Sequence, residues 1–339
     1  MTRTQGVSVI ICCYNSAERI TPTLEHIFAQ QVSDALSWEV ILVDNNCSDH
    51  TVKVAESVFN ATDRSIHFSI INQPIAGLMN ARKCGIEASK YEFMLFVDDD
   101  NWLSTSYLQL CFNLLNDLPK TAILGGYGSA ASDNIPFWFT EFEGSFAVGK
   151  QAESSGVVPS VYGAGMCIRH KAWETLKQSQ FKSLLLGRTG KVLTSGEDTE
   201  ICYALRLLGY EIRYDDRLTF KHDLPMERLD WNYLRQLFFG FGLAKARIDI
   251  YSHALSGNPL PQDGRLPFWF NRITYLLIQL KSDIPIIIKG AIFNLEGNER
   301  LLKALGKLGH IKGIWQQRHN LTALYSQVAS IKKSREINE

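Results

Sequence analysis

The sequence predicts an α/β protein with a doubly wound, mostly parallel sheet and a C-terminal helical extension. Three observations lead there. Strand and helix signals alternate over the first hundred residues, in the order expected of βαβ units. The strand segments are near-continuous Val/Ile-rich runs, as strands covered on both faces require. From about Met226 the chain turns helical. With 339 residues, of which 45% are hydrophobic and 21% charged, there is enough material for a sizeable core.

In order, Val7 to Cys13 reads as a buried strand ending at Tyr14-Asn15-Ser16, and a helix follows from about Ala17 to Gln30. Trp38 to Val43 is the second strand, closed by Asp44-Asn45-Asn46. Ser48 to Thr51 then caps a helix through Phe59. Ser65 to Asn72 is a third strand, Leu78 to Ser89 a helix, and Glu92 to Val97 a fourth strand that stops at Asp98-Asp99-Asp100. After Leu118 the rhythm breaks. Strands are expected near Ile123 to Gly128 and Val161 to Ile168, and a helix from His170 to Lys177. Gly187 to Lys191 is a glycine-bearing loop without phosphate-loop spacing. Glu197 to Leu208 forms an amphipathic helix stopped by Gly209. Two short strands, Glu211 to Tyr214 and Leu218 to Lys221, complete this part.

Composition excludes several classes. The 35 Lys and Arg balance 35 Asp and Glu, which removes the bulk electrostatic case for a nucleic-acid binder. Seven cysteines without a CxxC pair fit reduced thiols rather than a zinc ribbon or a disulfide framework. No stretch reads as a secretory signal or as a membrane span, so the expected location is cytoplasmic.

In open parallel sheets, ligands bind beyond the carboxyl ends of the strands. Asp44 and Asp98 stand at two such ends. Three adjacent carboxylates repel one another, and a hard cation such as Mg²⁺ or Mn²⁺ resolves that repulsion together with phosphate oxygens. The same triplet would also serve as an acidic turn capping the helix that starts near Ser104. Gly196-Glu197-Asp198-Thr199-Glu200 places carboxylates at a helix start, where ordinary capping and dipole compensation account for them before catalysis does.

Taken together, SVIICCYN, VDNNCSDHT, GLMNARKCGIEAS, FVDDDNWL, GAGMCIRHKAWE, SGEDTEICYALRLLGY and a later His-x-x-Pro-x-x-Arg resemble the family 2 glycosyltransferases over about Val7 to Arg228. That resemblance implies a Rossmann-like GT-A fold and inverting transfer of a sugar from a nucleotide-diphosphate donor, commonly UDP-linked. It implies that Tyr14, Asn15 and Asp44 line the base, and that Gly77 and Arg82 lie near the nucleotide. Asp98 and Asp100 match the metal-site DxD, with Asp98 leaning to the ribose, Asp100 to a Mn²⁺ or Mg²⁺ cofactor, and Asp99 facing the donor sugar or solvent. His222 matches a histidine that completes the metal site, and Asp198 matches the catalytic base, in preference to Glu197. The acceptor is expected to be a glycan or a lipid-linked sugar. No Gln-x-x-Arg-Trp signature of processive synthases occurs, so a single addition follows.

Two rival readings are weaker. A sugar nucleotidyltransferase needs a Gly-rich basic loop after the first strand, which Tyr14 to Glu18 does not provide. An inactive sugar-nucleotide-binding module has no use for the retained Asp98, Asp100 and Asp198. Phe137, Trp138, Phe139, Phe142 and Phe146 read as core before they read as an acceptor platform, and Trp102 is a candidate neighbour of the donor sugar.

Charge divides the chain. Residues 1–225, the expected catalytic domain, hold 19 Lys and Arg against 26 Asp and Glu, whereas residues 226–339 hold 16 against 9. In the basic part, Leu301, Leu305, Leu308 and Trp315 interleave with Arg300, Lys303, Lys307 and Lys312, and the triplets Phe268-Trp-Phe and Ile286-Ile-Ile lie upstream. That pattern suits an anionic membrane surface, or packing on the catalytic domain or in a homo-oligomer.

Overall fold

β1 (Thr4–Cys13) is central because both of its faces are apolar. Val7, Val9 and Ile11 join one buried cluster with Leu24 and Ile27 of α1 (Ile20–Phe28). Ile10, pointing the other way, is also fully buried. A computed structural model of the chain describes residues 3–338 except Arg64, Asp133, 186–194 and 262–265. The expected Gly187–Lys191 loop lies outside the described residues.

β2 (Trp38–Asp44) runs parallel to β1 and is followed by α2 (Thr51–Asn60). β3 (His67–Asn72), α3 (Leu78–Ala88) and β4 (Tyr91–Val97) continue the alternation. α3 covers the face that carries Ile10 and Val43, and it approaches so closely that a Cβ on Gly85 would stand 2.4 Å from Ile10 Cγ2. With helices on both faces, each fully buried Val, Ile or Leu here contributes about 1.5–3 kcal/mol over an exposed position.

The second half of the sheet is mixed. β5 (Asn101–Leu103), α4 (Tyr107–Asp117) and β6 (Thr121–Ala130) precede the four-residue α5 (Phe139–Phe142), then β7 (Gly156–Val157) and β8 (Cys167–Arg169). α6 (His170–Gln178) and α7 (Glu197–Leu207) lead to β9 (Glu211–His222). The strand order is β3-β2-β1-β4-β8-β6-β9-β5, with β7 on β9. The two short strands expected at 211–221 are one strand, with an irregularity in its register against β6. Of the strand expected from Val161, only Cys167–Arg169 pairs.

By packing, the chain forms two units. One takes residues 1–133, 146–175 and 210–224 and holds the sheet; the other takes 134–145, 176–209 and 225–339. The second is helical, with α8 (Trp231–Leu255), α9 (Phe268–Leu280), α10 (Ile284–Ile292), α11 (Glu299–Gln317) and α12 (Leu321–Asn338) added to α5 and α7. Glycines that look like helix breakers in the sequence let α11 lie directly on α8. A Cβ on Gly309 would stand 2.1 Å from the Phe239 carbonyl oxygen, and one on Gly242 would stand 2.0 Å from that of Gly306. Asp249 of α8 adds to this contact through His310 of α11 at 3.2 Å, and also takes Arg272 of α9 at 2.6 Å and the exposed Lys245 of α8 at 2.9 Å. Burial pushes the Asp249 carboxyl up, but His310 and Lys245 outweigh it and hold it at about 2.

Of the aromatic run, Trp138, Phe139, Phe142 and Phe146 are buried. Trp138 packs edge-on to Trp231 with ring centroids 5.4 Å apart. Phe137 differs, at 79% exposure.

Candidate active site

All the residues expected at the nucleotide and metal lie in the sheet unit, at or beyond strand ends except Gly77, which opens α3, and Arg82 within it. The register sets Cys13 beside Asp44, and Asp44 beside Asn72, so the first three strands end together. Beyond β1, Tyr14 is 56% exposed. Asn15 has φ 52°, a left-handed conformation that Asn tolerates better than most residues. Its Oδ1 accepts from the Ser48 N–H at 2.8 Å, and its own N–H donates to Cys47 Sγ at 3.2 Å. The Cys47 N–H in turn donates to Asp44 Oδ1 at 2.9 Å. Asp44 Oδ2 takes a longer contact, 3.3 Å, from Asn72 Nδ2. A carboxylate offers about four acceptor positions, so capacity remains for a ligand N–H.

Asn45 joins the second strand end to the third. Its Nδ2 donates to the Gln73 and Ile75 carbonyls at 3.1 and 2.8 Å, and its Oδ1 accepts from the Gly77 N–H at 2.8 Å. Gly77 opens α3 at φ 129°, where any side chain would be strained. Arg82, further along α3, is buried with its guanidinium over the Phe96 ring at 5.6 Å. Burial raises the Cys12 thiol to about 12, against a lowering by Arg82; Asp98 and Asp99 raise it further. Cys12 is therefore a neutral thiol near pH 7, and all seven cysteines are free.

The acidic triplet divides by direction. Asp99 is only 8% exposed and turns into the fold. Its carboxylate takes Arg19 Nη2 at 2.8 Å and the Ser16 hydroxyl, and its carbonyl accepts from Thr23 Oγ1 at 2.9 Å. Of the expectation that Asp99 faces donor sugar or solvent, the pairing with Arg19 and Ser16 removes the solvent-facing half; Asp100, at 3% exposure, is no less buried. Next to it, Asn101 is fully buried and organises the turn. Its Oδ1 accepts from the Asp98 N–H and its Nδ2 donates to Asp100 Oδ1, each at 3.2 Å.

β5 pairs antiparallel with β9, which sets Asn101 opposite His222. His222 Nε2 thereby stands 3.4 Å from Asp100 Oδ1, with both side chains buried. Its Nδ1 lies 2.7 Å from the Phe146 carbonyl, which can only accept, so Nδ1 carries the proton. In the neutral ring Nε2 then presents a lone pair, and it makes no hydrogen bond among the described residues. With a second proton on Nε2 the contact is an ion pair; without it, Nε2 and the Asp100 carboxylate, whose Oδ1 also accepts from Asn101, both offer lone pairs suited to a cation. A carbonyl on the far nitrogen is also how metal-binding histidines are oriented. No group of three or more His, Cys, Asp or Glu that could hold a metal occurs among the described residues. The fit is thus to a cation that takes two protein ligands and fills its remaining positions with phosphate oxygens and water, as Mg²⁺ and Mn²⁺ do.

Trp102 lies against α1, its ring stacked on His26 with centroids 6.0 Å apart. That packing gives it a structural use.

Asp198 lies in the other unit, in the first turn of α7. Glu197 and Glu200 are buried on the helix, while Asp198 is half-buried. Glu200 is committed to the fold: its carboxylate accepts from the Leu184 N–H at 2.6 Å, the Tyr251 hydroxyl at 2.8 Å and the Ser183 hydroxyl. Desolvation nevertheless raises its pKa above the usual glutamate range.

The sequence reasoning did not find Ser16, Arg19, Asn45, Cys47 or Asn101, which hold these loops together. A signal for them existed in their positions just beyond strand ends.

Residues 8–177 match the profile of glycosyl transferase family 2. The chain is similar to the succinoglycan biosynthesis protein ExoM of Rhizobium meliloti (strain 1021), with 22% identity over 72% of this chain and 75% of that one. It is also similar to a cholesterol galactosyltransferase of Borreliella burgdorferi, at 29% identity over 32% of this chain but only 28% of that protein's length. Among solved structures, the mannosyltransferase PcManGT from Pyrobaculum calidifontis, in complex with GDP-Man and Mn²⁺, superposes with a TM-score of 0.51. That match covers 100% of this chain and 89% of that one at 16% identity, a likeness of fold.

Proposed function

This chain belongs to glycosyl transferase family 2, and we propose that it catalyses inverting transfer of one sugar from a nucleotide-diphosphate donor, UDP-linked, to a hydroxyl of a glycan or lipid-linked acceptor. The observation that carries the reading is the buried Asp100–His222 pair, 3.4 Å apart, at the end of a sheet whose neighbouring strand ends carry Tyr14, Asn15, Asp44 and Asp98.

In this reading Tyr14 stacks on the base, and Asp44 accepts from a base N–H. Gly77 lets the backbone approach the nucleotide, and Arg82 adds positive charge. Asp98 accepts from the ribose, and Asp100 and His222 hold a divalent cation, Mn²⁺ or Mg²⁺. Asp99 contributes indirectly, by fixing the turn through Arg19. When bound, the cation supplies positive charge against that of the departing diphosphate. The solved complex of the mannosyltransferase neighbour with GDP-Man and Mn²⁺ supports such a dependence.

Asp198 removes the proton from the acceptor hydroxyl as that oxygen attacks the anomeric carbon. The new C–O bond forms on the face opposite the departing diphosphate, so the carbon inverts and no enzyme-bound sugar intermediate arises. We assign residues 1–225 to catalysis and 226–339 to a helical appendage.

The test is a panel of nucleotide sugars offered with Mn²⁺, watching for slow donor hydrolysis and for acceptor glycosylation. One donor consumed in a metal-dependent manner is the expected result. Turnover that survives complete metal removal would overturn the role given to Asp100 and His222.

A further inference from the structure

The sequence reading offers the basic C-terminal region, including the Phe268-Trp-Phe and Ile286-Ile-Ile triplets and α11, as a membrane-facing surface; in α11, Leu301 is buried, Leu305 and Leu308 are half-buried and Trp315 is 51% exposed. The larger exposed apolar face lies upstream. Phe270, Leu277 and Ile278 of α9 stand 41–68% exposed, and Ile284, Ile288 and Ile292 of α10 stand 51–69% exposed. The α10 side chains recur every four residues and form one stripe along the helix.

Charge in the same segment has one sign at the surface. Between residues 266 and 293 the sole carboxylate is Asp283, and it is buried. Arg300 and Lys307 both pair with it, each at 2.9 Å, and with Lys303 they balance Asp283 and the exposed Glu296 and Glu299 that follow α10, so the surplus within the segment comes from its own lysines and Arg272. Lys281 and Lys289 of this segment are exposed. An apolar stripe flanked by lysines and free of exposed carboxylates complements a surface that is apolar beneath and anionic above.

Interrupting charges decide how such a surface is met. α9 and α10 are joined by one 3-10 turn, Lys281–Asp283, but Arg272, Lys281, Asp283 and Lys289 interrupt the apolar run that a bilayer span of roughly 20 residues needs. No described helix is long and apolar enough to cross a membrane. We propose that α9 and α10 form an interfacial docking surface for an anionic lipid bilayer: their isoleucine, leucine and phenylalanine side chains enter the headgroup boundary while Lys281 and Lys289 contact lipid phosphates. Docking of this kind is independent of which donor and acceptor the enzyme uses.

The experiment is flotation of the full chain with phosphatidylcholine vesicles, with and without phosphatidylglycerol, over a range of salt. Binding is expected to require phosphatidylglycerol and to fall as salt rises. Ile278→Glu combined with Ile288→Glu should lower partitioning about tenfold or more. Lys281→Ala and Lys289→Ala should each lower it about fivefold and flatten the salt dependence. These four side chains are exposed, so thermal melting and donor hydrolysis should match the unsubstituted protein. The proposal is overturned if that protein ignores anionic vesicles, if neutral vesicles bind it equally, or if the isoleucine variants bind undiminished. It is also overturned if the isoleucine variants change the sedimentation mass and leave vesicle binding intact, because the face is then a contact between copies.

Discussion

Two acidic runs stand in two different settings: Asp98-Asp99-Asp100 after a strand, and Glu197-Asp198-Thr199-Glu200 at a helix start. Each gives one carboxylate to the fold. In the turn it is Asp99, paired with Arg19 and Ser16; in the helix it is Glu200, held by Ser183, Leu184 and Tyr251. The runs differ in how the remaining groups are presented. At the strand end, Asn101 and the antiparallel β5–β9 register aim Asp100 at His222. On the helix, rotation by about 100° per residue separates Asp198 from the buried face that carries Glu197 and Glu200. A row of like charges is therefore a mixture of scaffold and chemistry, and the backbone geometry sorts the two.

The largest effects should come from the groups left for chemistry. Asp198→Asn is expected to lower transfer about 10²–10⁴-fold while leaving donor binding intact, measured by turnover beside calorimetric titration with the donor. Unchanged turnover would remove Asp198 as the base. Asp100→Asn should act differently, raising the cation and donor concentrations needed for half-maximal rate.

Substitutions of the scaffold carboxylates should appear first in stability. Glu200→Ala removes the acceptor of the buried Tyr251 hydroxyl and of the Leu184 N–H. A cost of about 2–4 kcal/mol in denaturant unfolding is expected. Arg19→Ala should cost less, about 1–2 kcal/mol, because the Arg19 side chain is 40% exposed and water replaces part of the pairing. Its second readout is a higher donor KM with kcat nearly unchanged, as the acidic turn loosens. If Arg19→Ala instead matched Asp198→Asn in kcat, the distinction between scaffold and chemistry would fail at the strand end.

The smallest effect is a pH slope. Because the folded pKa of Glu200 is raised, its contribution to stability is full below the unfolded glutamate value and is lost as pH rises through the folded one. Glu200→Gln should therefore compare best with the unsubstituted protein above that window and worst below it, read by urea unfolding at several pH values. A stability difference independent of pH would show that Glu200 ionises as it does in the unfolded chain.

Much of the sheet was legible because Val- and Ile-rich runs bounded by Asn, Asp and Ser admit few other structures, and the acidic runs were legible as candidate chemistry. Helix propensity alone counts the glycines of α11 against a helix because it ignores the neighbour: Gly309 and Gly313 leave the space that α8 fills. Likewise, the basic-apolar interleaving of α11 marked an amphipathic helix but not which body its apolar side would cover.

By itself the sequence determined the order of strands and helices, the family, and the places where carboxylates gather, since each of these is written in short-range pattern. Tertiary structure alone decided that Asp99 is anchored by a residue 80 positions away. It decided that His222 meets Asp100 across a strand pairing, and which apolar side chains of α9, α10 and α11 stay in water. Burial, pairing and register are relations between segments distant in sequence, and they exist only once the chain has folded.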